Sequence, residues 1–221
     1  ILSKSGNEIL IKNFVSDLQL ENVKTKNGHF YKIKTSNYTS ESKLGTPELP
    51  MFHQLIEIPA GANVVVSVSN QKSQTIDLDN YQGYKLMPRQ PSLSKSDDPA
   101  KVPFHYLSSI YATDAFLNEP LAIVEKLGNM RSKTIGRLRI SPFSYNPVTN
   151  ELTIVTEITV KVTFENIDKA LQQENKQKYA SELFDNSFGS IISYDEPDVQ
   201  KDMIVTYPTT YVIVSDPMFQ S

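Results

Sequence analysis

From Leu152 to Phe164 the chain alternates with a period of two. The even positions read Leu152, Ile154, Thr156, Ile158, Val160, Val162 and Phe164; the odd positions read Thr153, Val155, Glu157, Thr159, Lys161 and Thr163. Successive side chains of a strand point to opposite faces, so this pattern specifies a long strand with one buried face. Just upstream lie Leu138, Ile140, Phe143 and Tyr145, whose apolar parity flips around Pro142. A flip at a proline predicts a bulge. "YNPVTNE", residues 145–151, supplies the turn, so the two runs predict a long hairpin.

Similar signals fill the first half. Ile9 to Val23 reads as strand–turn–strand, with a short helix as the alternative. His29–Thr35 and Phe52–Ile58 read as strands, and Asn37–Ser42 as a polar loop. Pro59–Gly61 makes a turn, after which Val64, Val66 and Val68 mark a half-buried strand. Tyr and Phe total 21 residues, and with the many Val, Ile and Thr they favour strands. The expected fold is an all-β antiparallel sandwich over residues 1–166.

The character changes after Phe164. Residues 167–190 lose the alternation and gain helix formers, with Asp168 placed to cap a helix; 167–201 reads as a linker with a short helical segment. "YVIVSDP" near the C-terminus is a short, almost wholly apolar strand, the kind buried on both faces in parallel sheets. Residues 202–221 therefore read as the first strand of a following domain. The absence of Met at position 1 and of an apolar leader reads as a trimmed chain.

Several function classes find no support. Net charge is −3 with both signs interspersed, which gives no nucleic-acid footprint. No apolar run approaches the ~20 residues of a membrane helix. There is no cysteine, hence no disulfide, thiolate metal site or cysteine nucleophile in this chain. His29, His53 and His105 each stand alone and read as ordinary core or surface histidines. Asp97–Asp98, and Asp77, Asp79 and Asn80, are the nearest approach to a calcium loop, and a plain turn explains both. No cofactor or metal is expected, and no motif marks the chain as an enzyme in its own right.

One stretch resists the plain globular reading. "LMPRQPSLSKSDDPAKVPF", residues 86–104, holds four of the 13 prolines around a small, polar centre. Prolines 88, 91, 99 and 103 favour extended backbone on both sides of Lys95. Peptidase clefts bind extended chains, with one side chain filling a specificity pocket. Serines 92, 94 and 96 would let a narrow cleft close, and Lys95 would suit a deep acidic pocket. The bland alternative is a lysine on an exposed loop. Arg89 and Lys101 compete for the same role.

"KLMPRQPSLSKSDDPAKVPFHY", "GTPELP" and "YNPVTNELTIVTEITVKV" together resemble the N-terminal pro-domain of gingipain-type cysteine peptidases. The loop is most similar to the lysine-specific gingipain branch. The resemblance runs from about residue 40 onward and is weaker before that. It implies a β-sandwich that keeps the following catalytic domain latent and helps it fold, in a bacterial protein exported through the periplasm to the cell surface or beyond. It implies an inhibitory loop, here Leu93, Ser94, Lys95, Ser96 and Asp97, with Lys95 in the S1 pocket. An arginine would stand there in the arginine-specific branch. The catalytic Cys and His would belong to the domain after Ser221. Maturation would need a cut in the linker, with Lys201 and Lys178 as candidates. A carbohydrate- or adhesin-type sandwich, with tyrosines as a stacking face, is the competing reading, and a structural export domain is a third.

Overall fold

The computed structural model describes residues 1–98, 101–179 and 188–193. Eleven strands run in chain order: β1 (Ser3–Ser5), β2 (Glu8–Phe14), β3 (Gln19–Thr25), β4 (Gly28–Lys34), β5 (Tyr38–Ser40), β6 (Pro50–Ile58), β7 (Asn63–Asp77), β8 (Ala122–Met130), β9 (Lys133–Ile140), β10 (Phe143–Asn146) and β11 (Glu151–Glu165). Two α-helices, α1 (Ser108–Tyr111) and α2 (Lys169–Tyr179), and a 3-10 turn at Leu78–Asn80 complete the set.

β11 organises the first sheet. One of its edges pairs along its length with β7, and the other is shared end to end by β10 and β2, with β1 outside β2. The second sheet has the order β5-β6-β9-β8, and β3–β4 form a separate hairpin. All the strand pairs are antiparallel. The expected all-β antiparallel fold is what the chain adopts.

The two sheets enclose one core of Ile9, Ile11, Ile56, Ile58, Leu138, Ile140, Ile158, Val160 and Val162. The even positions of β11 are buried in both cores: Ile158, Val160, Val162 and Phe164 in this one, Leu152 and Ile154 in a second. The exception, Thr156, falls within the first of two irregularities of register, Val155/Glu157, which is followed at once by Glu157/Thr159. A second core, of Tyr31, Ile33, Leu49, Leu78, Leu86, Phe143, Tyr145, Leu152 and Ile154, lies under the β3–β4 hairpin.

Three local expectations need correction. The parity flip at Pro142 is a change of sheet, not a bulge. β9 ends at Ile140 in the second sheet, and β10 begins at Phe143 in the first. Pro142 has no N–H for a ladder, but its carbonyl accepts from Val155 N at 2.8 Å, beside the irregularity in β11. The predicted long hairpin is consequently a short one, four residue pairs between β10 and β11. The third correction is that the polar stretch 37–42 contains β5, which adds to the edge of β6.

The sandwich is followed by α2, whose start is capped as expected. Asp168 Oδ1 accepts from Leu171 N at 2.9 Å, and Asp168 N donates to Ala60 O at 2.9 Å. No residue of α2 is buried. The chain then returns to the sandwich at Phe188–Ile192. Ile192 bridges Ile56 of β6 in parallel, and Phe188 is buried with the Lys133 ammonium 5.5 Å above its ring. The apolar segment 211–217 lies outside the described residues.

Candidate functional site

The segment singled out by its prolines leaves and re-enters the fold at one place. Its incoming stem, Lys85–Arg89, is held between two neighbours. On one side Met87 N donates to Tyr31 O (2.7 Å) and Tyr31 N to Lys85 O (2.9 Å). On the other, Glu48 N donates to Met87 O (2.9 Å) and Arg89 N to Thr46 O (2.8 Å). "GTPELP" is thus the stem's antiparallel partner, with Pro47 opposite Pro88. Leu86 fills the second core at 0% exposure. Its carbonyl accepts from the Tyr111 hydroxyl at 2.7 Å. Burial pushes that phenol's pKa far up, so it donates as a neutral group.

At the neck the two stems meet. The Gln90 amide donates to His105 O at 2.8 Å and to Pro88 O at 3.0 Å, and its oxygen accepts from His105 N at 3.0 Å. Gly45 joins the stems from behind: its N–H donates to Arg89 O (2.8 Å) and its carbonyl accepts from Leu107 N (2.9 Å). Gly45 has φ +78°, and a Cβ there would sit 3.0 Å from Leu107 Cγ. Both the left-handed backbone and the close approach call for glycine. Phe104 and Tyr106 pack on Phe30, and Tyr106 stacks on Tyr111 with ring centroids 4.3 Å apart, which anchors the outgoing stem.

The tip is different in kind. Ser92–Asp98 are all exposed. Asp97 N donates to Ser94 O at 3.1 Å, closing a turn with Lys95 and Ser96 at its corners. The Asp97 carboxylate accepts from Ser94 N at 2.6 Å, and the Ser94 and Ser96 hydroxyls lie 3.2 Å apart. The expected extended backbone therefore does not run through Lys95, which sits in a turn. At the tip an aspartate, which readily accepts from nearby backbone N–H groups, closes a turn. Among the described residues Lys95 makes no ion pair or side-chain hydrogen bond. Its two competitors are engaged: Arg89 Nη1 lies 3.1 Å from Glu48 Oε1, whose side chain is 11% exposed, and Lys101 Nζ lies 3.7 Å from Asp98 Oδ2.

The other candidates have structural partners. Asp77 accepts from Asp79 N at 2.9 Å to start the 3-10 turn, and Asp79 accepts from the buried Asn150 amide at 2.6 Å. That ties this loop to the β10–β11 turn, where the Tyr145 hydroxyl donates to Asn150 at 2.6 Å. His29 stacks on Tyr84. His53 lies 3.8 Å from Glu41. Lys178 sits in the last turn of α2 over the Tyr179 ring at 5.3 Å. Lys201 lies outside the described residues. Sequence reasoning missed Gln90, Gly45 and Glu48. The glycine in "GTPELP" was a usable signal for the second, while Gln90 carried none.

The sandwich thus roots a long loop in its own core and leaves Lys95 exposed at the tip, with no ion pair among the described residues. The chain belongs to the Propeptide_C25 family, whose model matches residues 2–203. It is 34% identical to Lys-gingipain HG66 of Porphyromonas gingivalis over 205 residues, 93% of this chain and 12% of that protein. It is 26% identical to Gingipain R1 of the same organism over 149 residues, 67% of this chain and 14% of that protein. Among solved structures, one describing the zymogenic latency of gingipain K from Porphyromonas gingivalis superposes with a TM-score of 0.68 at 38% identity, covering 73% of this chain and 88% of that one. A complex of the pro- and mature domains of RgpB superposes at 0.70 with 23% identity, covering 86% and 94%, and shows the shared fold.

Proposed function

We propose that this chain is the pro-domain of a bacterial cysteine peptidase, holding a C-terminal catalytic domain of the same precursor latent and helping it to fold. Lys95 enters the S1 pocket as a substrate mimic, with Leu93 and Ser94 on one side of it and Ser96 and Asp97 on the other. The identity to Lys-gingipain supports a lysine-specific partner, in a secreted or cell-surface setting. Residues 1–166 act as the inhibitory sandwich, 167–201 as the linker to be cut at Lys201 or Lys178, and 202–221 as the start of the catalytic domain. Lys178 lies within a helix, so cutting there requires local unwinding.

One observation carries the choice of Lys95. Of the three cations in the loop, it alone has nothing to give up on entering a pocket. Moving Arg89 would take from the largely buried Glu48 the shorter of its ion pairs and leave it Lys32 at 3.6 Å. The Lys101 pair is exposed and weak, so position rather than energy sets that residue aside.

The test is inhibition of a lysine-specific and an arginine-specific gingipain by the purified chain. Lys95→Ala is expected to raise the inhibition constant at least about 30-fold, as loss of a central anchor does. Arg89→Ala and Lys101→Ala should shift it by less than about threefold, and Lys95→Arg should move preference toward the arginine-specific enzyme. An unchanged constant for Lys95→Ala overturns the assignment.

A further inference from the structure

A lysine placed in the cleft of a lysine-specific peptidase is also a substrate. Hydrolysis of the Lys95–Ser96 bond consumes a water and leaves a carboxylate on Lys95 and an ammonium group on Ser96. What happens next depends on whether the two new ends stay together. We propose that Gln90, backed by Gly45, is a positioning clamp that keeps the loop inhibitory after this bond is cut. The proposal rests on the latency reading above.

The clamp lies entirely outside the segment that is cut. Residues 91–95 are rooted at Gln90 and residues 96–104 at His105, and one side-chain amide ties these roots together at 2.8 and 3.0 Å. The same amide also donates to Pro88 O at 3.0 Å, which fixes its own direction. All of the Gln90 amide's contacts are to backbone atoms, so they survive any change of side chain at the tip. Gly45 repeats the connection one step deeper, with one bond to each stem.

A second tie spans the scissile bond itself. Ser94 lies before it and Asp97 after it, and they exchange bonds of 2.6 and 3.1 Å through the Asp97 carboxylate and the backbone. These ties are non-covalent and do not need the peptide bond between residues 95 and 96. Ends held this way rebind at a high effective concentration, and little extra order is lost or gained when they do. The loop thereby remains an occupant of the cleft rather than a spent substrate.

The experiment follows inhibition over time. The full chain is mixed with Lys-gingipain of Porphyromonas gingivalis, residual activity is read at intervals, and mass spectrometry records cleavage after Lys95. The wild-type chain is expected to inhibit persistently, with cut and intact forms equally potent within about threefold. Gln90→Ala and Gln90→Glu should start within about threefold of the wild type and then lose inhibition about tenfold faster as cleavage proceeds, the loss that two hydrogen bonds produce. Gln90→Glu keeps the acceptor for His105 N but loses both donors, and the matched starting potency shows that either variant is folded. Decay of both variants at the wild-type rate overturns the clamp and leaves Lys95 as the pocket residue. Absence of inhibition by the wild-type chain overturns the latency reading and the clamp with it, whereas equal inhibition by Lys95→Ala overturns the Lys95 assignment and the clamp but leaves latency standing.

Discussion

Leu86 and Lys95 belong to one continuous loop segment, yet their surroundings share nothing. Leu86 is wholly buried, bonded through its carbonyl to Tyr111 and packed among Tyr31, Tyr145 and Leu152. Lys95 has no ion pair or side-chain hydrogen bond with any of the described residues. The stem is built as part of a core, and the tip stands exposed, where the proposed function has another surface complete it. Stability should be concentrated in the first and recognition in the second. Each substitution below tests that separation.

The largest effect on folding is expected at Leu86. Leu86→Ala removes a fully buried side chain from the second core, and the cost of such cavities is about 2–5 kcal/mol. Urea unfolding of the variant would measure it directly. A cost below about 1 kcal/mol would mean that the stem is only resting on the core. Tyr111→Phe should cost less, about 1–2 kcal/mol, because it leaves the buried Leu86 carbonyl without its donor. A loss in that range at Tyr111 with unaltered initial inhibition would show that the stem's hydrogen bonds serve the fold first.

The contrast also explains what could be read from the sequence. β11 was legible because one of its faces is buried almost without interruption, and burial is what alternation reports. The same logic misread Pro142. A parity flip records a change of face, and a bulge and a crossing between sheets produce the same flip. The sequence of the loop was legible because prolines and small polar residues cannot form a core. Its neck was not. Gln90 acts on His105, and Gly45 acts on Arg89 and Leu107, so their roles exist only once distant segments have been brought together. The turn at the tip was equally hidden, since "SKSD" is compatible with an extended strand and with a turn closed by Asp97. Lys95 itself was singled out by composition and by family resemblance, and the feature that sharpens the choice, its unpaired state, belongs to three dimensions.

Acid should act on the sandwich through His53 and Glu157. His53 lies between β5 and β9 residues, facing Glu41, Glu125, Arg137 and Arg139. Burial lowers its pKa below the ordinary 6.5, with Arg137 and Arg139 acting the same way and Glu41 and Glu125 opposing. The folded state then binds a proton less readily than the unfolded state does. Its contribution to stability is complete above 6.5 and is lost as pH falls from there through the lowered folded value. Glu157, held down by Lys12 and Lys72, adds a second loss below the ordinary carboxylate value of 4.5. Urea midpoints recorded from neutral to mildly acidic pH should fall for the wild type, and His53→Gln should flatten the first part of that decline. An equal decline in both proteins would remove His53 as its source.

The smallest expected effect is the most informative about the tip. Lys95→Ala should change unfolding stability by less than about 0.5 kcal/mol, the range for a surface residue without partners. Asp97→Ala should stay near that range, since the turn that it closes is exposed and buries nothing. The two variants should nevertheless part company in binding. Lys95→Ala removes the side chain proposed to fill the pocket, whereas Asp97→Ala frees the backbone that carries it and so raises the cost of ordering the loop. Unfolding curves that overlay the wild type, together with a larger loss of inhibition at Lys95 than at Asp97, would show that recognition at the tip is uncoupled from the fold. A Lys95→Ala chain destabilised as strongly as Tyr111→Phe would break the separation, because it would place the tip inside the fold's own network of contacts.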